Sequence, residues 1–408
     1  MTQLRPGTIL ERSPNVAFRV EADNTVEAVG AGGEVDCGPH GLAILDVFSQ
    51  PCRLEQAVAR LSRDTTGVQD WVDLTSRIVS LHEAGVLRIR GGTVARTPVG
   101  FSAPPIHIAM LDDRTRTSSY LGAISQVVRE GDVVVDLGTG SGVLAVAAAR
   151  AGASRVYAME ATSIGRWARA VFDANGYGDK IHLVSGWSTR VDLPERADVL
   201  VSEMVGDEPL AERMLEVTLD ARRRFLKPNA RLLPHQVRVF GLPVTIPNRE
   251  LGSRTFNADN VRRWRSWYGV DFTPLLGSRR TEPGSFYIRP QRAANWAAIS
   301  DPVLLAEVDL STFNTLRVSG TGSGIVTHAG RVDGVLVHFE VHLAQNYTIS
   351  TDPRHADRRN HWRAPVWLLP DSVSMDEGDR FTVSYTRPTG GGAHSIRFRA
   401  SGRKSGER

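Results

Sequence analysis

At 408 residues the chain exceeds one ordinary hydrophobic core and predicts two or three domains. Its composition, 41% hydrophobic and 23% charged, is that of a globular protein, and a formal charge of +4 spread along the length argues against a nucleic-acid partner. The N-terminus, MTQLRPGTILERSP, has no apolar signal core and no run of 18 apolar residues follows, so the expectation is a cytoplasmic protein with no membrane partner. Two cysteines, Cys37 and Cys52, lie outside any disulfide or metal spacing.

In chain order, residues 1–95 form a first unit. Alternating stretches at 8–10, 17–20 and 25–29 predict a small meander, punctuated by Pro14, Asn15, Asn24 and Gly30. Helical patterns follow: Leu42, Ile44, Leu45 and Phe48, then Leu54, Ala57, Val58 and Leu61. In a third, Trp71, Leu74, Ile78 and Leu81 fall on one face. Gly85 ends that helix, and 86–89 closes a small winged-helix α+β unit. RTPVGFSAPP, 96–105, reads as a linker.

Residues 96–233 alternate strand and helix, with VVVDL, RVYAME, IHLVSG and DVLVSE as strands. That pattern predicts an α/β, Rossmann-like parallel sheet. From 234 to 402 short strands with period two take over, such as Val335, Val337, Phe339 and Val341, predicting a β-rich domain. The aromatic stretch 261–272 reads as an insertion with its own helix, and 403–408 as a disordered tail.

The central signal is VVVDLGTGSGVLAVAAARAG, 133–152. A buried strand ends near Asp136, and Gly138, Gly140 and Gly142 let backbone approach a ligand. Such a turn also suits a dinucleotide pyrophosphate at a helix N-terminus. Asp136 would repel a pyrophosphate, whereas it suits the amino-acid end of a cationic cofactor. Glu160 ends the second strand, where a carboxylate can bind two ribose hydroxyls. At Gly186-Trp187-Ser188 backbone groups could meet an adenine ring, with a core position as the other reading of Trp187. Together these residues predict S-adenosyl-L-methionine as cofactor, with no metal.

SEMVGDEPLAERML (202–215) resembles the double-glutamate hairpin of protein arginine methyltransferases, with Glu203 and Glu212 as its acids. HIAMLDDRTRTSSYLGAI (107–124) is similar to the helix preceding the cofactor strand in that family, and RNHWR (359–363) resembles its Thr-His-Trp loop, with Asn360 in place of threonine. WRSWYGVDF (264–272) looks like its dimerisation arm, here near 250–280, and AEVDL (306–310) like a strand of its β-barrel.

The resemblance implies an N-methyltransferase with a β-barrel substrate domain, acting as a homodimer. Glu203 and Glu212 would hold the acceptor nitrogen by charge-assisted hydrogen bonds, and His361 with Asp113 would take up its proton. Met110, Arg116 and Met214 would contact the cofactor, Arg116 through its carboxylate and Met214 near the sulfonium. Phe101, Asn360 and Trp362 would line the substrate. Departures from the family pattern are Thr97, Pro98 and Phe101 in place of its aromatic helix motif, Thr189 in place of an adenine-holding acid, and the hairpin centre Gly206-Asp207-Glu208-Pro209. They leave the acceptor open between an arginine guanidine and another amine.

Residues 4–89 resemble the PqqD-like recognition domain, through LRPGTILERS, GPHGLAILDVF and LTSRIVSLHEAGVLRI. That resemblance implies a precursor (leader) peptide partner added as a strand at about 25–29 beside the helix at 71–84. The implied substrate is a ribosomally synthesised peptide, modified at an arginine or, as in daptide-type peptides, at a terminal amine. Two alternatives are a small-metabolite methyltransferase with a structural first unit, and a non-catalytic, cofactor-sensing DNA-binding regulator. The third helix carries only Arg77 as a fixed positive charge, which weighs against the regulator.

Overall fold

The structure is a computed structural model. It describes residues 4–13, 16–20, 26–30, 33–38, 40–64, 68–90, 101, 103–210, 212–277, 284–357, 359–388 and 394–401. Thr97, Pro98, most of the expected linker and the expected tail 403–408 lie outside the described residues. The chain divides into two compact units, Met1–Ile106 and His107–Arg408.

Among its described residues the first unit holds two small antiparallel sheets and the helices Gly41–Val47, Leu54–Leu61 and Val68–Glu83. Its core is built from Ile44, Phe48, Ala57, Leu74, Ile78 and Leu81, much as the helical spacing requires. Two apolar residues counted on those faces, Leu42 and Trp71, are instead exposed, since a small core cannot cover the whole apolar stripe of each helix. The meander is displaced by one strand. Ile9–Arg12 pairs with Cys52–Arg53 and with the closing strand Leu87–Ile89, whereas the meander proper is Ala17–Val20, Val26–Gly30 and Gly33–Asp36. Of the stretch expected at a sheet edge, 26–29 therefore falls on the central strand, with hydrogen-bonded neighbours on both sides, and residue 25 lies outside the described residues.

The second unit opens with a five-stranded, all-parallel sheet. Its order is Leu226–Leu233, Ala197–Ser202, Val133–Leu137, Arg155–Glu160, Ile181–Ser185. The order reverses beside Val133–Leu137, which places a switch point at that strand's carboxyl end, where open α/β sheets bind ligands. Val133–Leu137 is buried throughout, and the small-residue helix Val143–Arg150 packs its alanines close to the sheet.

The remainder is antiparallel and β-rich. Ser285–Ile288, Ala364–Met375, Gly330–Ala344, Gln236–Thr245 and Ala297–Ala298 form one sheet, and Val318–Ile325, Arg380–Arg387 and Ser395–Ser401 another. The period-two reading of 335–341 assumed one wet face. In the structure Val332 to Phe339 is buried without a break, Leu336 and His338 included, because that strand is central and covered on both sides. One core runs through both parts of this unit and joins Val135, Phe225 and Leu233 to Val237, Val341 and Trp362. The expected division at 233 is therefore a change of architecture within one compact body. The insertion does carry its own helix, Ala258–Tyr268, capped by Asn257 and ended by Gly269 at φ 68°.

Candidate active site

The site forms where the parallel strands end. After Val133–Leu137, Gly138, Gly140 and Gly142 take φ of 71°, 54° and 87°. Only glycine adopts this region freely, and a Cβ on Gly142 would come within 2.5 Å of the Phe172 ring. Asp136 is buried beneath this turn. Its Oδ2 accepts from Thr139 Oγ1 at 2.6 Å, while Oδ1 has no hydrogen-bond partner among the described residues. Burial raises the Asp136 pKa to about 7, opposed by the Thr139 hydrogen bond and reinforced by the charge of Glu160.

Glu160, also buried, is oriented from both sides. Gly140 N donates to its Oε2 at 2.9 Å, and Thr162 donates to Oε1 from its backbone N at 2.8 Å and its hydroxyl at 2.7 Å. Lone-pair capacity remains on Oε2 for a hydroxyl donor. Past Ile181–Ser185, Trp187 is exposed, which removes the core reading, and Ser188 begins a short 3-10 turn.

Two helices, Pro104–Asp112 and Arg114–Val127, meet at Asp113, which serves both of its neighbours. Its Oδ1 caps the second helix by accepting from Arg116 N at 3.0 Å. Its Oδ2 accepts from His361 N at 3.0 Å and lies 2.9 Å from His361 Nδ1. Burial pushes the Asp113 pKa up, but the hydrogen bonds from His361 and Arg116 prevail and hold it below its usual value. The expected His361–Asp113 contact is thus formed.

Arg116 departs from expectation. Its guanidinium donates to Met110 O at 3.2 Å and is ion-paired with Glu203, where the cofactor's carboxylate was expected. A guanidinium this buried must meet an anion, and Glu203 is the carboxylate within reach.

The hairpin from Glu203 to Glu212 ends in strained backbone, with Leu210, Glu212 and Arg213 at φ of 63°, 53° and 58°. The β-rich part of the unit holds it. Arg387 Nε donates to Leu210 O at 2.8 Å, Arg387 Nη2 grips Glu216 at 2.8 and 3.0 Å, and Tyr385 OH donates to Pro209 O at 3.4 Å. Glu212 keeps an open side toward solvent. Surrounding protein, then the charges of Glu203 and Asp207, raise its pKa to about 7. Gly206 leaves room for this carboxylate, since a Cβ there would lie 2.7 Å from Glu212 Oε1.

Three residues expected at ligand contacts are buried. Trp362 is buried, donates from Nε1 to Val205 O at 2.6 Å and meets the Phe339 ring edge-on. Asn360 is buried as well, and its Oδ1 accepts from Trp362 N at 3.0 Å. Trp362 Nε1 and Asn360 Oδ1 thus brace the loop. Met214 is fully buried at the start of Met214–Arg224, in the common core. Phe101, in the first unit, is exposed. Sequence reading missed Thr139, Thr162 and the Arg363–Asp207 pair, whose trace was the two extra acids in the hairpin and the arginine after His-Trp.

The residues at the switch point suit a cationic amino-acid and ribose ligand: a buried carboxylate oxygen without a partner, a second carboxylate aimed at the turn, and glycines that keep side chains out of the way. Fold and site together define a Rossmann-like S-adenosylmethionine-dependent methyltransferase. Residues 113–232 match the family model described as ribosomal protein L11 methyltransferase, and residues 251–391 that described as arginine methyltransferase oligomerization subdomain. Protein arginine N-methyltransferase PRMT10 of Oryza sativa subsp. japonica is 30% identical over 302 residues, 68% of this chain and 79% of that protein. The probable protein arginine N-methyltransferase 6 of Arabidopsis thaliana is 35% identical over 213 residues, 51% of this chain and 46% of that protein. Among solved structures, the Trypanosoma brucei PRMT1 enzyme-prozyme heterotetrameric complex with AdoHcy shares the fold at a TM-score of 0.64 and 24% identity, covering 75% of this chain and 95% of that one. The chain belongs to the protein arginine N-methyltransferase family.

Proposed function

We propose that the protein transfers a methyl group to a nitrogen of a peptide, an arginine guanidine in the first instance, with Glu203 and Glu212 holding the acceptor. The observation that carries this reading is the hairpin itself: two carboxylates at the switch point, one of them open to solvent and with a pKa raised to about 7. A carboxylate there can accept N–H bonds from a cationic nitrogen group and fix the direction of its lone pair.

S-adenosylmethionine, when bound, supplies the methyl group on a cationic sulfur. Glu160 would hold its ribose hydroxyls, and Asp136 with the 138–142 turn would face its amino-acid end. Met110, Trp187, Ser188 and Met214 would complete the cofactor contacts. Arg116 would turn to the cofactor's carboxylate and thereby release Glu203 for the acceptor. His361, held by Asp113, would take the proton lost by the acceptor nitrogen. The hairpin departures, Asp207 and Glu208, keep a terminal amine as a second acceptor.

The first unit is proposed as the peptide-recruiting part, a PqqD-like reader of a precursor leader. Its meander supports a strand-addition mode, with the outer strands Ala17–Val20 and Gly33–Asp36 in the place first given to 25–29. A tethered leader would raise the local concentration of a weakly held acceptor. The arm and the oligomerization subdomain support a homodimer.

The test is incubation with labelled cofactor and peptides ending in arginine or in a free amine, read by mass spectrometry. Label on the arginine nitrogen is expected. Label on neither nitrogen, by a protein that binds the cofactor, would contradict the proposal.

A further inference from the structure

Among the described residues, most acids in and beside the hairpin have a cation of their own. Glu203 is paired with Arg116, Asp207 with Arg363 and Glu216 with Arg387, while Glu208 lies 2.8 Å from His394 Nδ1. Glu212 has none. The Asp207–Arg363 pair differs from the others in what it joins. Arg363 N donates to Asp207 Oδ1 at 2.7 Å and Arg363 Nε to Oδ2 at 2.7 Å, so one carboxylate holds both a side chain and the backbone it grows from.

That backbone belongs to the loop that carries His361. Three consecutive loop residues are fastened in turn: His361 to Asp113 on the helix side, then Trp362 to Val205 and Arg363 to Asp207 on the hairpin side. Gly206, next to Asp207, lies against the Glu212 carboxylate. The proton acceptor and the acceptor-holding acid are therefore linked by a short run of fixed contacts, in which this pair and the Trp362–Val205 hydrogen bond both cross to the hairpin. On its far side the Arg363 guanidinium lies 5.2 Å from the centre of the Tyr287 ring, which limits its freedom to swing away.

We propose that Asp207 and Arg363 form a latch that positions the His361 loop against Glu212, so that both act on one acceptor nitrogen. The latch rests on the reading of Glu212 as an acceptor-holding residue. Asp207 and Arg363 are positioning residues: neither need touch the substrate. The competing account is an ordinary, partly exposed ion pair, which would contribute little to anything.

The two accounts differ in what each half of the pair does to Glu212. The charges that act on Glu212 are those of Glu203 and Asp207 on the hairpin, of which Glu203 is paired with Arg116 on the helix side and Asp207 with Arg363 on the loop. Asp207 raises the Glu212 pKa. Asp207→Asn removes that charge while keeping the shape, so Glu212 should ionise at lower pH. Arg363→Ala leaves Asp207 uncompensated, so Glu212 should ionise at higher pH.

The experiment uses the full-length chain and the variants Asp207→Asn, Asp207→Ala, Arg363→Ala and Arg363→Lys, each checked by circular dichroism and by calorimetric binding of S-adenosylhomocysteine. Glu212 ionisation is read as the pH midpoint of carbodiimide–glycinamide labelling at that residue, by peptide mass spectrometry from pH 5 to 9. In parallel, kcat and KM are measured with a short arginine- and glycine-containing peptide. The expected result is a midpoint lowered in Asp207→Asn and raised in Arg363→Ala. In Asp207→Ala kcat should fall roughly 10- to 100-fold with unchanged cofactor binding, the scale that misplacing a reacting group produces. Arg363→Lys should restore part of what Arg363→Ala loses.

Midpoints that stay fixed, or move the same way in both variants, overturn the latch, as does an unchanged kcat in Asp207→Ala. If the peptide is not methylated at all, the two midpoints decide. Glu212→Gln run alongside separates the layers. A Glu212→Gln enzyme with wild-type turnover sinks the acceptor-site reading, whereas an impaired one beside unaffected Asp207 and Arg363 variants sinks only the latch.

Discussion

Two carboxyls in the site ionise near neutrality, and their consequences differ. Glu212 must be ionised to hold a cation, so turnover should fall as pH drops through about 7, on a limb that Glu212→Gln abolishes along with most of the activity. A pH profile of kcat/KM measures this. Asp136 has its folded-state pKa raised from 3.8 to about 7 by burial, so the folded state holds its proton more tightly than the unfolded one. Its contribution to stability is fully present below the unfolded value and is lost as pH rises through about 7. Asp136→Asn should therefore melt higher than the wild type at pH 8, with the gap closing by pH 5, while binding the cofactor less well. Thermal scans at the two pH values check the first part and calorimetry the second.

At the same scale, what the sequence made legible was chemistry set by close neighbours. Asp136, the glycines and Glu160 follow from one strand–turn–helix reading, and Asp113 and His361 followed from motif resemblance. The Arg363–Asp207 pair was hidden because its halves are 156 positions apart. The burial of Trp362 and Asn360 was hidden because a sequence cannot say which side of a loop faces in.

At the scale of elements, Met214–Arg224 and the hairpin before it are joined through one buried arginine. Arg387 grips Glu216 through Nη2 and Leu210 O through Nε. Arg387→Met should destabilise the protein by about 3–5 kcal/mol, the usual cost of leaving a partly buried charge without its partner. Chemical denaturation with a cofactor-binding readout would detect it, and a loss below 1 kcal/mol would contradict it. Elements with a clear period were legible: RVYAME became Arg155–Glu160 and the arm helix Ala258–Tyr268 fell inside the expected insertion. The fifth parallel strand, Leu226–Leu233, is not among the strands expected from the sequence; Lys227, Pro228 and Asn229 interrupt its apolar pattern. Its pairing with Ala197–Ser202 does shift between Ala197 and Val199, which accommodates that stretch. Within the strand Gly330–Ala344 the alternation at 335–341 does not mark a wet face, since the residues between are buried as well.

For the whole molecule, architecture was legible as an order of patterns and less so as a count of bodies. The change from α/β to β-rich near 233 is present, yet one core crosses it. On the arm, Phe256, Trp267, Tyr268 and Val270 are exposed together, more aromatic surface than a free helix ordinarily presents. Light scattering should give a dimer at micromolar concentration, and Trp267→Ala with Tyr268→Ala should shift it toward monomer; a wild-type monomer would contradict the assembly. Removing residues 1–95 should raise KM for a leader-bearing peptide while sparing a short one.

The central claim is that a cofactor lies at the switch point opposite two acids that hold a nitrogen. Its most direct test is methyl transfer to an arginine peptide by wild type, Glu203→Gln and Glu160→Ala, with S-adenosylhomocysteine affinity measured on the same samples. The account predicts that Glu203→Gln loses transfer by about 100-fold or more and keeps its affinity, while Glu160→Ala loses affinity first. Undiminished transfer by Glu203→Gln, or undiminished affinity in Glu160→Ala, would contradict it.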